Sequence, residues 1–375
     1  MSSAVKNIAV LTSSRADYGI YKPLLDVLAA DNAFNLQMIV FGSHLSEVTG
    51  YTLQHIERDG FTVIEKVDSI LLNDDPLANS TSTALTAMKF ADVWARLSGS
   101  VDLVLALGDR FEMYAAVMAS VPFGIPIGHL HGGETTLGAI DNVYRDCITL
   151  ASTVHFTSTK PYAARVSALV GSEKHIYPVG SLSLDGLSDL ELDTVEEFKA
   201  KWGIDLDQPT VVATYHPETV NFNSIDEHVA EWIKSIKELL KKYQVILGPP
   251  NLDTHGSRIR AEYSTQLANE PNLFIIESLG KKSYFTALKH CSFVIGNSSS
   301  GIIEVASFGK YAVNVGNRQE GRACGENVLH TPFDSNRILQ KVEYIESQGY
   351  SYKGENIYER RNVAQSIRDI LKRIL

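Results

Sequence analysis

The sequence predicts an α/β protein built from two Rossmann-like halves. Short, nearly continuous apolar runs alternate with longer amphipathic stretches, the pattern of a parallel sheet covered by helices on both faces. After VGSLSLDGLSD (179–189) that alternation starts afresh. With 375 residues, the chain is also long enough for about two domains, each with its own core.

In the first half the strand candidates are NIAVLT (7–12), LQMIVF (36–41), VDLVLAL (101–107), IPIGHL (125–130) and VHFT (154–157). Helical patterns fall around 20–30, 45–57, 82–97, 112–120, 141–151 and 160–169. The second set of strands is TVVATY (210–215), YQVILG (243–248), LFIIE (273–277), SFVIG (292–296) and YAVNV (311–315). Helices are expected near 224–242, 257–268, 283–290, 300–308 and 335–346. The boundary falls near 180–195, giving domains at 1–185 and 186–355 and a closing segment at 356–375. In that segment Val363, Ile367, Ile370, Leu371 and Ile374 form one helical stripe. Pattern alone leaves open whether this helix completes the second domain or packs on the first.

Composition narrows the function classes. There are 34 Lys+Arg against 44 Asp+Glu, a net charge of -10, and no basic run longer than two, so nucleic acid is not the expected partner. An anionic ligand would have to be held locally by placed basic groups and helix N-termini. The three cysteines, Cys147, Cys291 and Cys324, have no CxxC spacing and fit a reducing compartment. No secretory leader and no apolar run of roughly 18 residues is present. A cytoplasmic protein with no membrane partner is expected.

Open parallel sheets bind ligands beyond the carboxyl ends of their strands, and several strand ends here are chemically unusual. Arg15 follows the first strand in SSRADYG and could hold a phosphate bidentately or only cap a helix. His44 lies at the next strand-to-helix turn. ALGDRFE brings Asp109, Arg110 and Glu112 to the end of an apolar strand, as an ion-pair network or as substrate contacts. In GHLHGGETTLGAIDNVYRD, His129 and His131 would point to one side of a strand. Glu134 follows in a loop, and Asp141 and Arg145 share a helix face. These groups suit acid–base work on a sugar or similar polyol. A His-x-His pair could also bind metal, but the three-ligand spacing of a catalytic zinc site is missing, and no metal is expected.

The most distinctive segment is FVIGNSSSGIIEVASFGK. Ser298, Ser299, Ser300 and Gly301 would offer hydroxyl and N–H groups at a helix N-terminus, a ready anion site, with Glu304 one turn on for a ribose diol. It is neither a Walker loop nor GxGxxG. Arg318 and Arg322 in VGNRQEGR, His216 in TYHPETV, and Asn251, Asp253 and His255 in GPPNLDTHG lie on neighbouring strand-end loops. Of these, His255 reads best as a solvated loop histidine.

With these motifs assembled, the chain resembles the UDP-N-acetylglucosamine 2-epimerase family, closest to its hydrolysing branch in sialic- and legionaminic-acid biosynthesis. SRADYG, GSHL, GDRFE, HGGE with IDNVYR, YHPET, PPNLD, GNSSSGIIEVASFG and NVGNRQEGRACGENVLH carry the resemblance along nearly the whole chain. It implies a GT-B arrangement with a deep interdomain cleft, the last helix crossing back to the first domain, no cofactor, and a homo-oligomer, dimer or tetramer. Arg15, His44, His216, Asn251, Ser298, Ser299, Ser300, Gly301, Glu304 and Arg318 would bind UDP and substrate, with Arg110 on the sugar side.

The implied reaction eliminates UDP across carbons 1 and 2 to a glycal, then hydrates it to the free 2-epimer. Asp109 and Asp141 would be the acid–base pair, Glu134 or His131 would assist, and Arg145 would orient Asp141. His131 stands where many relatives carry an acidic residue. Asp146 stands where close relatives often have His, and Ser278 where some have a nucleotide-binding His. The substrate could be UDP-GlcNAc or a UDP-2,4-diacetamido-2,4,6-trideoxy sugar. Competing readings are a non-hydrolysing epimerase, a glycosyltransferase and a non-catalytic UDP-sugar sensor.

Overall fold

The computed structural model describes residues 4–375 except 72, 74, 221–223 and 251–255. The chain runs β1 (Lys6–Thr12), α1 (Arg15–Ala29), β2 (Phe34–Phe41), α2 (Leu53–Arg58), β3 (Val63–Val67), α3 (Pro76–Leu97), β4 (Leu103–Leu107), α4 (Phe111–Ser120), β5 (Ile127–Leu130), α5 (Asp141–Ala151), β6 (Val154–Thr157), α6 (Lys160–Val170) and β7 (Ile176–Pro178). It continues α7 (Val195–Trp202), β8 (Thr210–Thr214), α8 (Ile225–Leu239), β9 (Gln244–Gly248), α9 (Gly256–Gln266), β10 (Leu273–Ile275), α10 (Gly280–His290), β11 (Phe293–Gly296), α11 (Ser300–Ile303), β12 (Ala312–Val315), β13 (Val328–Thr331), α12 (Ser335–Ser347) and α13 (Val363–Ile374).

Among the described residues these strands form two sheets, ordered β3-β2-β1-β4-β5-β6-β7 and β10-β9-β8-β11-β12-β13. Every pairing is parallel. Both are Rossmann orders, with the direction of winding reversing between β1 and β4 and between β8 and β11. The expected fold class therefore holds: two Rossmann-like units.

Several elements differ from the sequence-based expectation. Strands β3, β7 and β13 were not expected. The 45–57 region splits into one-turn 3-10 segments at Gly42–Leu45 and Glu47–Thr49 before α2. The helix expected over 300–308 is the four-residue α11 followed by a 3-10 turn, Val305–Phe308.

Two compact units result. One comprises 1–134, 141–186 and 358–375, the other 135–140 and 187–357. In the first, one face of the sheet packs Ile8, Val10, Met38, Val40, Leu103 and Leu105 against α1, while the opposite face packs Leu11, Ile39, Phe41, Val104 and Ala106 against Phe90, Trp94 and Met113 of α3 and α4. The second is layered in the same way, Val211, Val245 and Ile295 facing Trp232, Ile236 and Ile338, and Val212, Ile246 and Val294 facing Phe285 and Leu288. Such two-sided burial is why the strands read as apolar runs.

α13 joins the core of the first unit: Val363, Ile367, Ile370 and Leu371 lie buried with Tyr21, Leu24, Leu25 and Leu28. Its stripe is the one legible in the sequence, and each large apolar side chain buried there contributes about 1.5–3 kcal/mol. The helix start is capped from a distance. Asp185 accepts from the N–H groups of Val363 at 3.0 Å and Ala364 at 2.8 Å, satisfying two donors that the helix itself leaves open. Asp185→Ala is expected to destabilise this unit by about 1–2 kcal/mol, as loss of a helix cap does. An unchanged urea midpoint would contradict the capping role.

Candidate active site

Both switch points carry the unusual loops. In the first unit β1 ends at Thr12, followed by Ser13–Arg15, and β4 ends at Leu107, followed by Gly108–Arg110. The end of β1 is stiffened by a buried network. Asp17 accepts from Thr12 Oγ1 at 2.5 Å, from Ser13 N–H at 2.9 Å and from Ser13 Oγ at 2.9 Å. His44, fully buried, lies 2.9 Å from Thr12 Oγ1 by Nε2 and 2.7 Å from Thr52 Oγ1 by Nδ1. Burial opposes ionisation of Asp17, but His44, Thr12 and the Ser13 N–H outweigh it and hold the carboxyl below its usual range. His44 thus has both ring nitrogens engaged in shaping the loop. Arg15, just beyond, is exposed at the start of α1.

At the end of β4, Asp109 forms an ion pair with Arg145 Nη2. The Arg145 side chain is 2% exposed, so its charge requires partners. The second is the Glu134 carbonyl, which accepts from Nη1 at 2.8 Å. Arg145 from α5 therefore ties the β4 end to the loop after β5. Arg110 turns to Glu112, fully buried, with Nη2 and Nε at 3.1–3.3 Å from its carboxylate. Asp141 opens α5, and its charge, after burial, helps hold the Tyr144 phenol above its ordinary range.

The histidine pair is corrected by the structure. β5 ends at Leu130, and His131 takes a left-handed backbone with φ 63°, so strand alternation does not place the two side by side. His129 is buried, 2.8 Å from the Gly108 carbonyl and 3.0 Å from Thr149 Oγ1, and burial pushes it down to about 3. It is a neutral core residue. His131 Nδ1 instead meets Glu134 Oε1 at 2.8 Å, and Ser158 Oγ donates to the same oxygen at 2.7 Å. Among the described residues no cluster of three or more His, Cys, Asp or Glu is arranged to hold a metal.

In the second unit, β8 and β11 lie in register with Thr214 opposite Gly296. Gly296 has φ 135°, and a Cβ there would lie 1.8 Å from the Thr214 carbonyl oxygen, so only glycine lets the two strand ends meet. Next, Asn297 clamps His216: its Oδ1 accepts from the His216 N–H at 2.7 Å and its Nδ2 donates to the His216 carbonyl at 2.8 Å. The Asn297 carbonyl accepts from Arg318 Nη1 at 3.2 Å and Gln319 Nε2 at 3.0 Å. Glu218, buried, accepts from the N–H groups of Asn317 at 2.5 Å and Arg318 at 3.2 Å. His216, Ser298 and Arg318 are thereby brought to one sheet edge.

The serine turn is more internally bonded than expected. Ser300 Oγ donates to Glu304 and lies 2.6 Å from Tyr284 OH, and desolvation together with Glu304 raises the Tyr284 phenol. Ser298 and Ser299, half-buried like Ser300, are not drawn into that pair, and Gly301 is buried in α11. Asn251, Asp253 and His255 lie outside the described residues.

Residues 135–140 belong to this unit. Leu137 N–H donates to the Glu320 carbonyl at 2.9 Å and Ile140 N–H to Thr219 Oγ1 at 2.9 Å. Asn297, Glu218, Gln319, Thr219 and Ser158 were not singled out from sequence. The E of YHPET and the N of GNSSSG were in view, but their partners lie 99 and 81 residues away.

The fold is that of a solved UDP-GlcNAc 2-epimerase from Neisseria meningitidis bound to UDP-GlcNAc. The TM-score is 0.81 at 17% identity, covering 98% of this chain and 100% of that one. Two Rossmann-like units with ligand-type loops at both switch points make this a protein of the GT-B class. The family model of UDP-N-acetylglucosamine 2-epimerase matches residues 26–372. A polysialic acid biosynthesis protein P7 from Escherichia coli is 31% identical over 98% of this chain and 95% of its own. A hydrolysing UDP-N,N'-diacetylbacillosamine 2-epimerase from Legionella pneumophila is 31% identical over 95% of both. The chain belongs to the UDP-N-acetylglucosamine 2-epimerase family and is an enzyme of that type. No described helix is long and apolar enough to cross a membrane.

Proposed function

We propose that this enzyme converts a UDP-linked 2-acetamido sugar into its free 2-epimer and UDP. The substrate is UDP-GlcNAc or the UDP-2,4-diacetamido-2,4,6-trideoxy sugar. The observation that carries the reading is the cluster at the β4 and β5 ends, where Asp109, Arg145, Glu134 and His131 are tied together. A sensor needs the serine turn but not Asp109 or Asp141. Relatives named as hydrolysing epimerases support the product assignment.

In this reading Asp109, oriented by its ion pair with Arg145, accepts the proton from carbon 2 as the carbon 1–oxygen bond to UDP breaks. Asp141 returns a proton to carbon 2 from the other face, and water adds at carbon 1. Arg15, His216, Ser298, Ser299 and Arg318, with Asn251, hold the diphosphate and nucleoside, and Glu304 the ribose. Their charge stabilises UDP as it leaves.

The test is incubation with each UDP-sugar separately, in deuterated and in heavy-oxygen water. The expected products are UDP free of heavy oxygen and a free 2-epimer carrying deuterium at carbon 2. A 2-epimer still attached to UDP would establish the non-hydrolysing reaction instead. Heavy oxygen in the diphosphate, or no turnover of either sugar, would overturn the reading altogether.

A further inference from the structure

Resting on that reading, we infer that His131 Nε2 is the base that takes the proton of the water added at carbon 1, and that Glu134 acts through it. His131 is 9% exposed, and its Nε2 is buried with no hydrogen-bond partner among the described residues. A buried ring nitrogen left without a partner is costly unless something is meant to meet it. The opposite nitrogen is fixed. Glu134 is 3% exposed, and its Oε1 receives both His131 Nδ1 at 2.8 Å and Ser158 Oγ at 2.7 Å. A charged carboxylate only accepts, so Nδ1 carries the hydrogen and Nε2 presents a lone pair.

This is the arrangement of an oriented general base: an acceptor nitrogen, a tautomer set by a carboxylate, and that carboxylate steadied by a hydroxyl. The main chain contributes too. A left-handed backbone at a non-glycine residue is uncommon, and here it falls directly after β5, at the strand's carboxyl end, the ligand edge of the sheet.

After carbon 2 of the glycal has gained its proton, carbon 1 is electron-poor. A water oxygen forms the carbon 1–oxygen bond while one of its O–H bonds breaks, and the proton passes to Nε2. The imidazolium is stabilised by Glu134 until the proton returns to solvent. No oxidant, metal or further reactant is needed. Asp109 retains the elimination step, so the two halves of the reaction rest on different groups.

The experiment separates those halves. Asn tolerates a left-handed backbone better than most residues, so His131→Asn is the variant of choice. It is given either the UDP-sugar or the corresponding glycal together with UDP. The expected result is hydration slowed by about 10²–10⁴-fold, elimination slowed far less, and glycal accumulating with UDP. Glu134→Gln, which keeps an acceptor for Nδ1–H but loses the charge, is expected to slow hydration by about tenfold, again with glycal build-up. UDP affinity and thermal melting of both variants confirm folding. Elimination slowed as much as hydration, or unchanged hydration in folded His131→Asn, would overturn the assignment. Failure of the wild-type enzyme to act on any UDP-sugar would instead strike the functional reading beneath it.

Discussion

Replacing Asp109 by Asn is expected to lower turnover of the UDP-sugar by about 10²–10⁴-fold while leaving UDP affinity within a few-fold of wild type. Besides its proposed role in proton transfer, Asp109 is the ion-pair partner of Arg145, whose side chain is 2% exposed. Removing the partner of a buried charge commonly costs about 3–5 kcal/mol. Asn softens that loss because its carbonyl still accepts from the guanidinium, and the Glu134 carbonyl keeps its own bond at 2.8 Å. A moderate fall in stability is therefore expected beside the large fall in rate. Kinetics are read at a temperature where circular dichroism shows the variant folded, and UDP binding is followed by calorimetry. Turnover within tenfold of wild type would remove Asp109 from the proton-transfer role. Lost UDP affinity with retained turnover would assign it to binding instead.

The sequence revealed those parts of the fold whose physics is local. Strands such as LVLAL and TVVAT are buried on both faces, so they stand out as apolar runs whatever their neighbours do. β3 carries Glu65 and Lys66 at the sheet edge, and β7 and β13 are only three and four residues long. Their strand character comes from pairing with a formed neighbour, which no window of sequence contains. α7 was missed for a similar reason, since Phe198 is its only buried side chain. Within the site, Asp109, Arg145, Glu134 and Arg318 could be read from motifs at strand ends. The clamps that aim them could not. Asn297 on His216 and Glu218 on the Arg318 loop depend on the register of β8, β11 and β12. His131 was misplaced because strand alternation was applied to a residue just past the strand end, where the backbone turns left-handed.

Gly138→Ala is expected to lower kcat by at least tenfold while leaving the Kd for UDP within a few-fold of wild type, although residue 138 lies in a short apolar-looking segment that carries none of the proposed catalytic groups. Residues 135–140 run against the loop of Arg318, and a Cβ on residue 138 would lie 2.2 Å from the Asn317 carbonyl oxygen and 2.7 Å from the Arg318 Cα. Both are backbone atoms, so no side-chain rotation relieves the overlap. Either the loop or the segment must move. The loop is held from behind by Glu218 through the Asn317 and Arg318 N–H groups and by Asn297 through the Arg318 and Gln319 side chains. The segment is held by a backbone hydrogen bond from Leu137 to Glu320 and by one from the Ile140 N–H to the Thr219 hydroxyl. Each contributes only about 0.5–1.5 kcal/mol, less than the cost of the overlap, so the segment yields first. It is flanked by Glu134 and Asp141, two of the groups proposed to act on the sugar. Displacing it is therefore expected to lower kcat by at least tenfold, with only a modest fall in urea stability because Ala139 and Thr136, its buried side chains, are small. Calorimetric UDP titration, steady-state kinetics and urea unfolding on the one variant distinguish the outcomes. Wild-type Kd and kcat would mean that this close approach has no bearing on either site. A collapse in stability with both parameters normal in the surviving folded fraction would mean that the segment serves the fold alone.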